Sequence, residues 1–235
     1  MTSDRDRSPA AGRPEVVIFD FDGTIADTMP YLVDLAARLL RTRYGMTEAQ
    51  ARRAYIETTG LPFCRQIEII FPGNSLNQAT VEEFEADKVR HLKGFRFFAD
   101  ALPVLAELRR RGLKVCLSSG NYEGLIRDVL RSRGLVVDLV MGYRPGFEKG
   151  PQHFAEAART FGVNLADVLF VGDSVRDGLA ARQAGVRFIA RLGLVSREEI
   201  RNRLPDAPVV DSLYDVLPLL GMKKPREDEA NPHSA

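Results

Sequence analysis

Two aspartates directly follow a run of apolar residues near the start of the chain. The stretch reads VVIFDFDGTIAD, so one phenylalanine separates Asp20 from Asp22, and Gly23 and Thr24 come next. The apolar run is typical of a strand that is buried on both faces. Two carboxylates at the end of such a strand conflict with burial, and a local conflict of this kind usually marks a functional site.

Other polar residues follow later apolar runs in the same way. Two hydroxyls and a glycine come after LKVCL, a lysine follows VVDLVMGY through a short loop, and LFVGDSVRDG carries further acids. Parallel strands end at one edge of a sheet, so the sequence predicts that all these groups converge there. They are Asp20, Asp22, Ser118, Ser119, Gly120, Lys149, Asp173, Ser174 and Asp177.

This combination of carboxylates, hydroxyl and lysine suits phosphoryl transfer. Clustered carboxylates repel one another unless a cation lies between them, and their hard oxygen ligands favour Mg²⁺. The metal ion and a lysine neutralise the transferring oxygens, a hydroxyl and backbone N–H groups hold them, and one carboxylate attacks to form an aspartyl phosphate. A second carboxylate two residues further on can donate a proton to the leaving oxygen and later take one from water.

The elements that must position these groups are strands separated by amphipathic helices. EVVIF, LKVCLS, VVDLVMG, DVLFVG and VRFIA read as buried strands. DALPVLAELRRRG predicts a helix with Leu102, Leu105 and Leu108 on its buried face and Gly112 at its C-terminal end. The alternation predicts an α/β fold with a doubly wound, Rossmann-like parallel sheet.

One region interrupts the alternation. Residues 28–97 read as several helices without a buried strand, and this pattern predicts an α-helical cap domain inserted into the core. The α/β core would then consist of residues 14–27 and 98–221. Residues 1–13 and 222–235 are polar, and we expect them to be mobile tails.

Composition narrows the partners and the compartment. The chain has 33 Lys and Arg against 32 Asp and Glu, so no overall basic field favours nucleic acid or a membrane surface. No run of about 20 apolar residues is present to cross a bilayer. Cys64 and Cys116 are far apart, which argues against a disulfide framework. A cytoplasmic protein that binds a small molecule is the expectation.

The motifs together resemble those of the haloacid dehalogenase superfamily. DFDGT corresponds to the first motif, Ser119 to the second, Lys149 to the third and GDSVRD to the fourth, in matching order and spacing over residues 15–220. The helical insertion is similar to the cap of the subgroup that contains phosphoglycolate phosphatases and β-phosphoglucomutases.

The resemblance implies a role for each matching residue. Asp20 would be the nucleophile and a metal ligand, and Asp22 the general acid and base, with its backbone carbonyl on the metal. Asp173 would be a further ligand. Ser119 and Lys149, with the backbone at Gly120, would bind the phosphoryl group.

Four assignments stay open. Ser118 is the alternative to Ser119 as the phosphate ligand. Asp177 would be either a metal ligand through water or a partner that orients Lys149. Asp173 and Ser174, taken alone, would be read as caps of the following helix. Arg65, after the TTGLPF turn of the predicted cap, is a candidate for contact with the substrate.

The reaction class follows from which residues are present. A carboxylate at Asp22 argues against a dehalogenase, because attack on carbon needs no acid for the leaving group. The expectation is a Mg²⁺-dependent phosphatase that hydrolyses a small phosphorylated metabolite through an aspartyl phosphate. A sugar-phosphate mutase of the β-phosphoglucomutase type is the alternative, and a catalytically silent binding relative is a third candidate.

Overall fold

The computed structural model describes residues 12–92 and 94–224, so residues 1–11 and 225–235 of the predicted tails lie outside the described residues. A parallel sheet forms the centre of the described chain. Its strands run in the spatial order β3-β2-β1-β4-β5-β6. From β1 the chain adds β2 and β3 on one side of the sheet, and it then returns to add β4, β5 and β6 on the other side. The strands are β1 (Val16–Asp20), β2 (Lys114–Tyr122), β3 (Leu139–Tyr143), β4 (Val168–Gly172), β5 (Arg187–Arg191) and β6 (Val209–Val210).

Helices connect the strands and fill the long segment after β1. The predicted α/β fold with a doubly wound parallel sheet is confirmed. The helices are α1 (Met29–Tyr44), α2 (Glu48–Glu57), α3 (Phe63–Ile70), α4 (Asn77–Leu92), α5 (Ala101–Arg110), α6 (Glu123–Ser132), α7 (Pro151–Phe161), α8 (Val175–Ala184), α9 (Arg197–Arg203) and α10 (Val216–Leu219).

Strand β1 is buried on both faces, as its continuous apolar run predicts. Val17 and Phe19 pack into the layer that contains helices α5 and α6. Val16 and Ile18 point to the opposite face and pack with Phe154 of α7. Side chains alternate along a strand, so β1 is covered by helices on both sides and its end is left as the place for polar groups.

Leu102 was predicted to face the core, and this prediction is wrong. It is 41% exposed, whereas Val104, Leu105 and Leu108 are buried. The buried stripe of α5 is centred on Ala101, and the next residue along a helix lies about 100° around its axis. Leu102 therefore falls outside the stripe.

Helices α1 to α4 pack around an apolar cluster of their own, which includes Leu32, Phe63 and Phe84. Two chain segments connect this helical region to the sheet, and they run side by side. Asp27 N–H donates to Arg96 O at 2.9 Å, and Ala26 and Phe97 form an isolated antiparallel bridge.

The packed chain reaches into the predicted C-terminal tail, because Met222 is buried in the apolar layer around α5 and α10.

Within the described ranges, no helix combines the length and the hydrophobicity needed to span a membrane.

Candidate active site

Asp20, Asp22 and Asp173 come together because β1 and β4 are neighbours in the sheet. Asp20 is the last residue of β1, and Phe19 pairs with Val171 of β4, two positions before Asp173. On its other side Asp20 pairs with Ser118 of β2. The predicted convergence of these strand ends is therefore present in the structure.

Three buried carboxylates and one lysine form the centre of the site. Asp20, Asp173 and Asp177 each offer a carboxylate oxygen, and these atoms lie within 4.8 Å of one another. Lys149 Nζ contacts Asp20 Oδ1 at 2.6 Å and Asp177 Oδ1 at 2.8 Å. With one ammonium among three acids, the cluster keeps an excess of negative charge.

Burial and this excess of negative charge shift the pKa values of the clustered acids and of Lys149. Burial raises the pKa of Asp20 well above its ordinary value, Lys149 offsets part of the shift, and Asp177 and Asp173 add to it. Burial, followed by the charge of Asp177, raises the pKa of Asp173 to about 7. Burial by itself would lower the pKa of Lys149, but Asp177 and Asp20 raise it, so the ammonium stays charged. A divalent cation would relieve the repulsion between the acids.

Asp22 is held by two hydrogen bonds. Its Oδ1 accepts from Thr28 Oγ1 at 2.7 Å, and its Oδ2 accepts from Asn121 Nδ2 at 2.5 Å. Thr28 precedes α1, and Asn121 lies at the end of β2. The carboxylate of Asp22 is thus oriented by residues that the sequence analysis had not singled out.

The two serines of β2 have different partners. Ser118 Oγ and His153 Nδ1 share a hydrogen bond of 2.8 Å, and burial lowers the pKa of His153 to about 3, so its ring is neutral. Ser119 Oγ accepts from Asn121 N–H at 3.0 Å. Gly120 and Asn121 line the cavity described below.

Asp177 and Ser174 cap helix α8. Ser174 Oγ accepts from Asp177 N–H at 3.1 Å, and Asp177 Oδ2 accepts from Ser174 N–H at 3.3 Å and from Ser174 Oγ at 2.7 Å. The capping interpretation is therefore observed for Ser174. In Asp177 one carboxylate oxygen serves the cap while the other contacts Lys149.

Gly23 must be a glycine. Its φ is +77°, and a Cβ atom there would lie 2.1 Å from Asp173 Oδ2. The close approach of this backbone lets the Asp20–Asp22 loop and Asp173 share one site.

A cavity of about 50 Å³ lies between this site and the helical region. On the sheet side it is lined by Asp20, Asp22, Asp173 and Lys149. Apolar side chains dominate the opposite wall, together with a few polar groups. That wall comprises Met29, Leu32, Tyr55, Thr59, Gly60, Leu61, Pro62, Phe63, Gln66, Phe84 and Lys88.

Arg65 lies outside the set that lines this cavity. It is on α3, its side chain is 61% exposed, and its Nη2 contacts Glu148 Oε1 at 2.9 Å. The ion pair joins the helical region to the loop that carries Lys149.

Sequence reasoning missed four groups of the site. Asn121 had a signal, because it directly follows the serines and glycine at the end of a strand. Thr28, Gln66 and Lys88 had none, since nothing in their neighbourhood distinguishes them from polar residues on the surface of a helix.

Comparison with known proteins identifies the family. The family model described as haloacid dehalogenase-like hydrolase matches residues 17–191. The chain belongs to this family, and the predictions of the superfamily and of a hydrolase are confirmed.

Similar proteins of established name include a phosphoglycolate phosphatase of Rhodospirillum rubrum, 28% identical over 92% of this chain and 94% of the relative. An N-acetylmuramic acid 6-phosphate phosphatase of Pseudomonas putida is 26% identical over 85% of this chain and 92% of its own. Among solved structures, a hydrolase from Pseudomonas syringae has a TM-score of 0.75 at 20% identity, covering 88% of this chain and 98% of its own. The last likeness shows the fold.

Proposed function

We propose that the protein is a Mg²⁺-dependent phosphatase that hydrolyses a small phosphorylated metabolite through an aspartyl phosphate on Asp20. The observation that carries the proposal is the contact of Asp20 Oδ1 with Lys149 Nζ at 2.6 Å inside a buried cluster of acids. A carboxylate beside an ammonium is a suitable nucleophile for an anionic phosphoryl group, because the lysine neutralises oxygens that would otherwise repel it.

Asp20 and Asp173 are the proposed metal-ligating carboxylates, with the backbone carbonyl of Asp22 as a third ligand. When bound, Mg²⁺ would neutralise phosphoryl oxygens and act as a Lewis acid. Both carboxylate oxygens of Asp177 already have partners, in Lys149 and Ser174. We therefore assign Asp177 the task of orienting Lys149.

The proposed reaction has two steps, formation and hydrolysis of the aspartyl phosphate, and Asp20 and Asp22 act in both. In the first step, an Asp20 oxygen attacks phosphorus while Asp22 gives its proton to the departing ester oxygen. In the second, Asp22 takes a proton from the water that attacks phosphorus, and Asp20 is released with inorganic phosphate. Thr28 and Asn121 keep Asp22 oriented, and Ser119 with the backbone at Gly120 holds the phosphoryl oxygens.

The helical region, residues 28–97, is proposed to act as a cap on a core of residues 14–27 and 98–221. The paired linkers at Asp27–Arg96 and Ala26–Phe97 support a hinge there. Opening would admit the substrate, and closure would exclude bulk water from the aspartyl phosphate.

The names of similar proteins favour a small substrate. Several similar proteins are named phosphoglycolate phosphatase. We therefore propose 2-phosphoglycolate, or a phosphate ester of comparable size, as the substrate.

The test begins with protein freed of metal by EDTA. Adding Mg²⁺ should start hydrolysis of p-nitrophenyl phosphate and the release of inorganic phosphate from 2-phosphoglycolate. No sugar bisphosphate should be needed. Turnover that starts only when a sugar bisphosphate is added, with an isomeric sugar phosphate as product, would establish the mutase instead.

A further inference from the structure

Among the described residues, one buried cation, Lys88 on α4, lines the cap side of the cavity. The residue is 3% exposed and lines the cavity that also holds Asp20 and Asp22. Its Nζ contacts Glu85 Oε2 at 2.6 Å and lies 5.5 Å from the centre of the Phe84 ring. A lysine is rarely buried, because removing an ammonium from water is unfavourable unless it is paired.

Lys88 differs from Gln66, another polar group on this wall, in having hydrogen-bonding capacity to spare. Gln66 is already engaged, since its Oε1 accepts from Thr58 Oγ1 at 3.0 Å and its Nε2 donates to Leu61 O at 2.8 Å. An ammonium has three N–H donors. Within the described residues Lys88 Nζ pairs with Glu85 Oε2 as an ion pair, without a hydrogen bond between them, which leaves its N–H groups for a ligand in the cavity.

A purely structural role does not account for this side chain. Met29, Leu32 and Phe63 surround the same space and form a wall that an apolar residue would complete without the cost of burying an ion pair. Lys149, which is proposed to bind the phosphoryl group, lines the same cavity. A substrate bound in this cavity would therefore meet Lys88 as a second cation.

We propose that Lys88 binds an anionic group, a carboxylate, on the leaving-group portion of the substrate, and that Glu85 orients its ammonium. This inference rests on the proposed phosphatase function, and it predicts that the substrate carries a second negatively charged group besides the phosphate. We take the anionic group to be a carboxylate, because 2-phosphoglycolate, the substrate proposed above, carries one on its leaving group. Lys88 is thus a determinant of specificity, separate from the groups that perform the chemistry.

The experiment compares two substrates that differ in this one group. 2-Phosphoglycolate carries the carboxylate, and ethyl phosphate has a methyl group in its place. The measured quantity is the ratio of their kcat/KM values. Wild-type protein should favour 2-phosphoglycolate, and Lys88→Met should lower the ratio by about 10- to 100-fold, the range for loss of a hydrogen bond between charged groups.

Two further variants test whether the change in the ratio is due to loss of the Lys88 ammonium. Glu85→Gln combined with Lys88→Met removes the carboxylate that the single change leaves unpaired, and it should lower the ratio to a similar extent. Lys224→Met removes an exposed lysine that pairs with Asp215, and it should leave the ratio unchanged. Circular dichroism and thermal unfolding report whether each variant is folded.

Two results would overturn the inference while the phosphatase function stands. One is a wild-type ratio near one with measurable hydrolysis of both esters. The other is an equal loss on both substrates in the folded Lys88 variants, which would assign Lys88 to the phosphoryl group or to the cap fold. If wild-type protein with Mg²⁺ hydrolyses neither these esters nor p-nitrophenyl phosphate, the proposed function fails and the inference fails with it.

Discussion

The two walls of the cavity hold their charged groups in different ways. On the sheet side Lys149 contacts both Asp20 and Asp177, although the three residues lie far apart in the sequence. On the cap side Lys88 pairs with Glu85 of the same helix, one turn away. The sheet side depends on strand ends that the whole fold brings together, whereas the cap side depends on one face of a helix. We therefore expect substitutions on the two sides to affect the proposed chemistry and the proposed recognition separately.

The largest effect should come from the proposed nucleophile on the sheet side. Asp20→Asn keeps the volume of the side chain but removes its charge, its reactivity and an anchor for the metal. Mg²⁺-dependent hydrolysis of p-nitrophenyl phosphate should fall by at least about 10⁴-fold. Asp128→Asn, at a position 70% exposed on α6, is the matched control and should retain wild-type activity. Substantial turnover by folded Asp20→Asn protein would refute the assignment.

Asp22→Asn should have the next largest effect. General acid and base assistance is worth about 10² to 10⁴ in rate, so kcat should fall by that range. The loss should be greater for ethyl phosphate than for p-nitrophenyl phosphate, because an alkoxide leaving group needs protonation more than a phenolate does. The comparison between the esters uses kcat/KM, because the second step is common to both and can hide a difference in kcat. Equal losses of kcat/KM would contradict proton donation by Asp22 to the leaving group.

Substitution of the two serines of β2 should have smaller effects, and the two effects should differ in kind. Ser119→Ala should lower kcat/KM by about 10-fold or more, because a ligand of the phosphoryl group is lost. Ser118→Ala removes the hydrogen bond to His153 and should instead lower the free energy of unfolding by about 1 kcal/mol, with a lesser effect on turnover. Urea unfolding and steady-state kinetics on both variants make the comparison. The reverse pattern would make Ser118 the phosphate ligand.

The smallest effect is expected at Arg65, on the cap side. Its pair with Glu148 is exposed, and such pairs contribute little, so Arg65→Ala should change kcat/KM by about threefold or less. Arg53→Ala removes a similarly exposed pair with Glu57 and serves as the control. A drop of more than about tenfold for Arg65→Ala alone would show that Arg65 contacts the substrate when the cap moves.

Much of the sheet side could be predicted from the sequence. DFDGT and GDSVRD each follow a run that is apolar on both strand faces, and parallel strands must end at one edge. Leu102 shows where this reasoning fails, because three leucines at equal spacing do not say where the centre of a helix stripe lies. Strand β6, with two residues, was too short to produce a pattern.

The contacts within the site could not be predicted in this way. Ser118 pairs with His153 across 35 positions, and Asp22 pairs with Asn121 across 99. Asn121 follows the serines and glycine at the end of a strand, but nothing local identifies Asp22 as its partner, and His153 stands in no distinctive pattern. Which oxygen of Asp177 faces Lys149 also depends on the cap of α8, a geometry that forms only when that helix packs beside β4.

The sequence by itself determined the order of strands and helices, the acids at the strand ends and the helical insertion. It did so because burial, periodicity and motif spacing are properties of neighbouring residues. Only the tertiary structure decided that Lys88 is a buried cation lining the same cavity as Asp20 and Asp22 rather than a solvated charge. A polar residue on a helix has the same local sequence whether its face meets water or a cavity, and that choice is made by how the cap packs over the sheet.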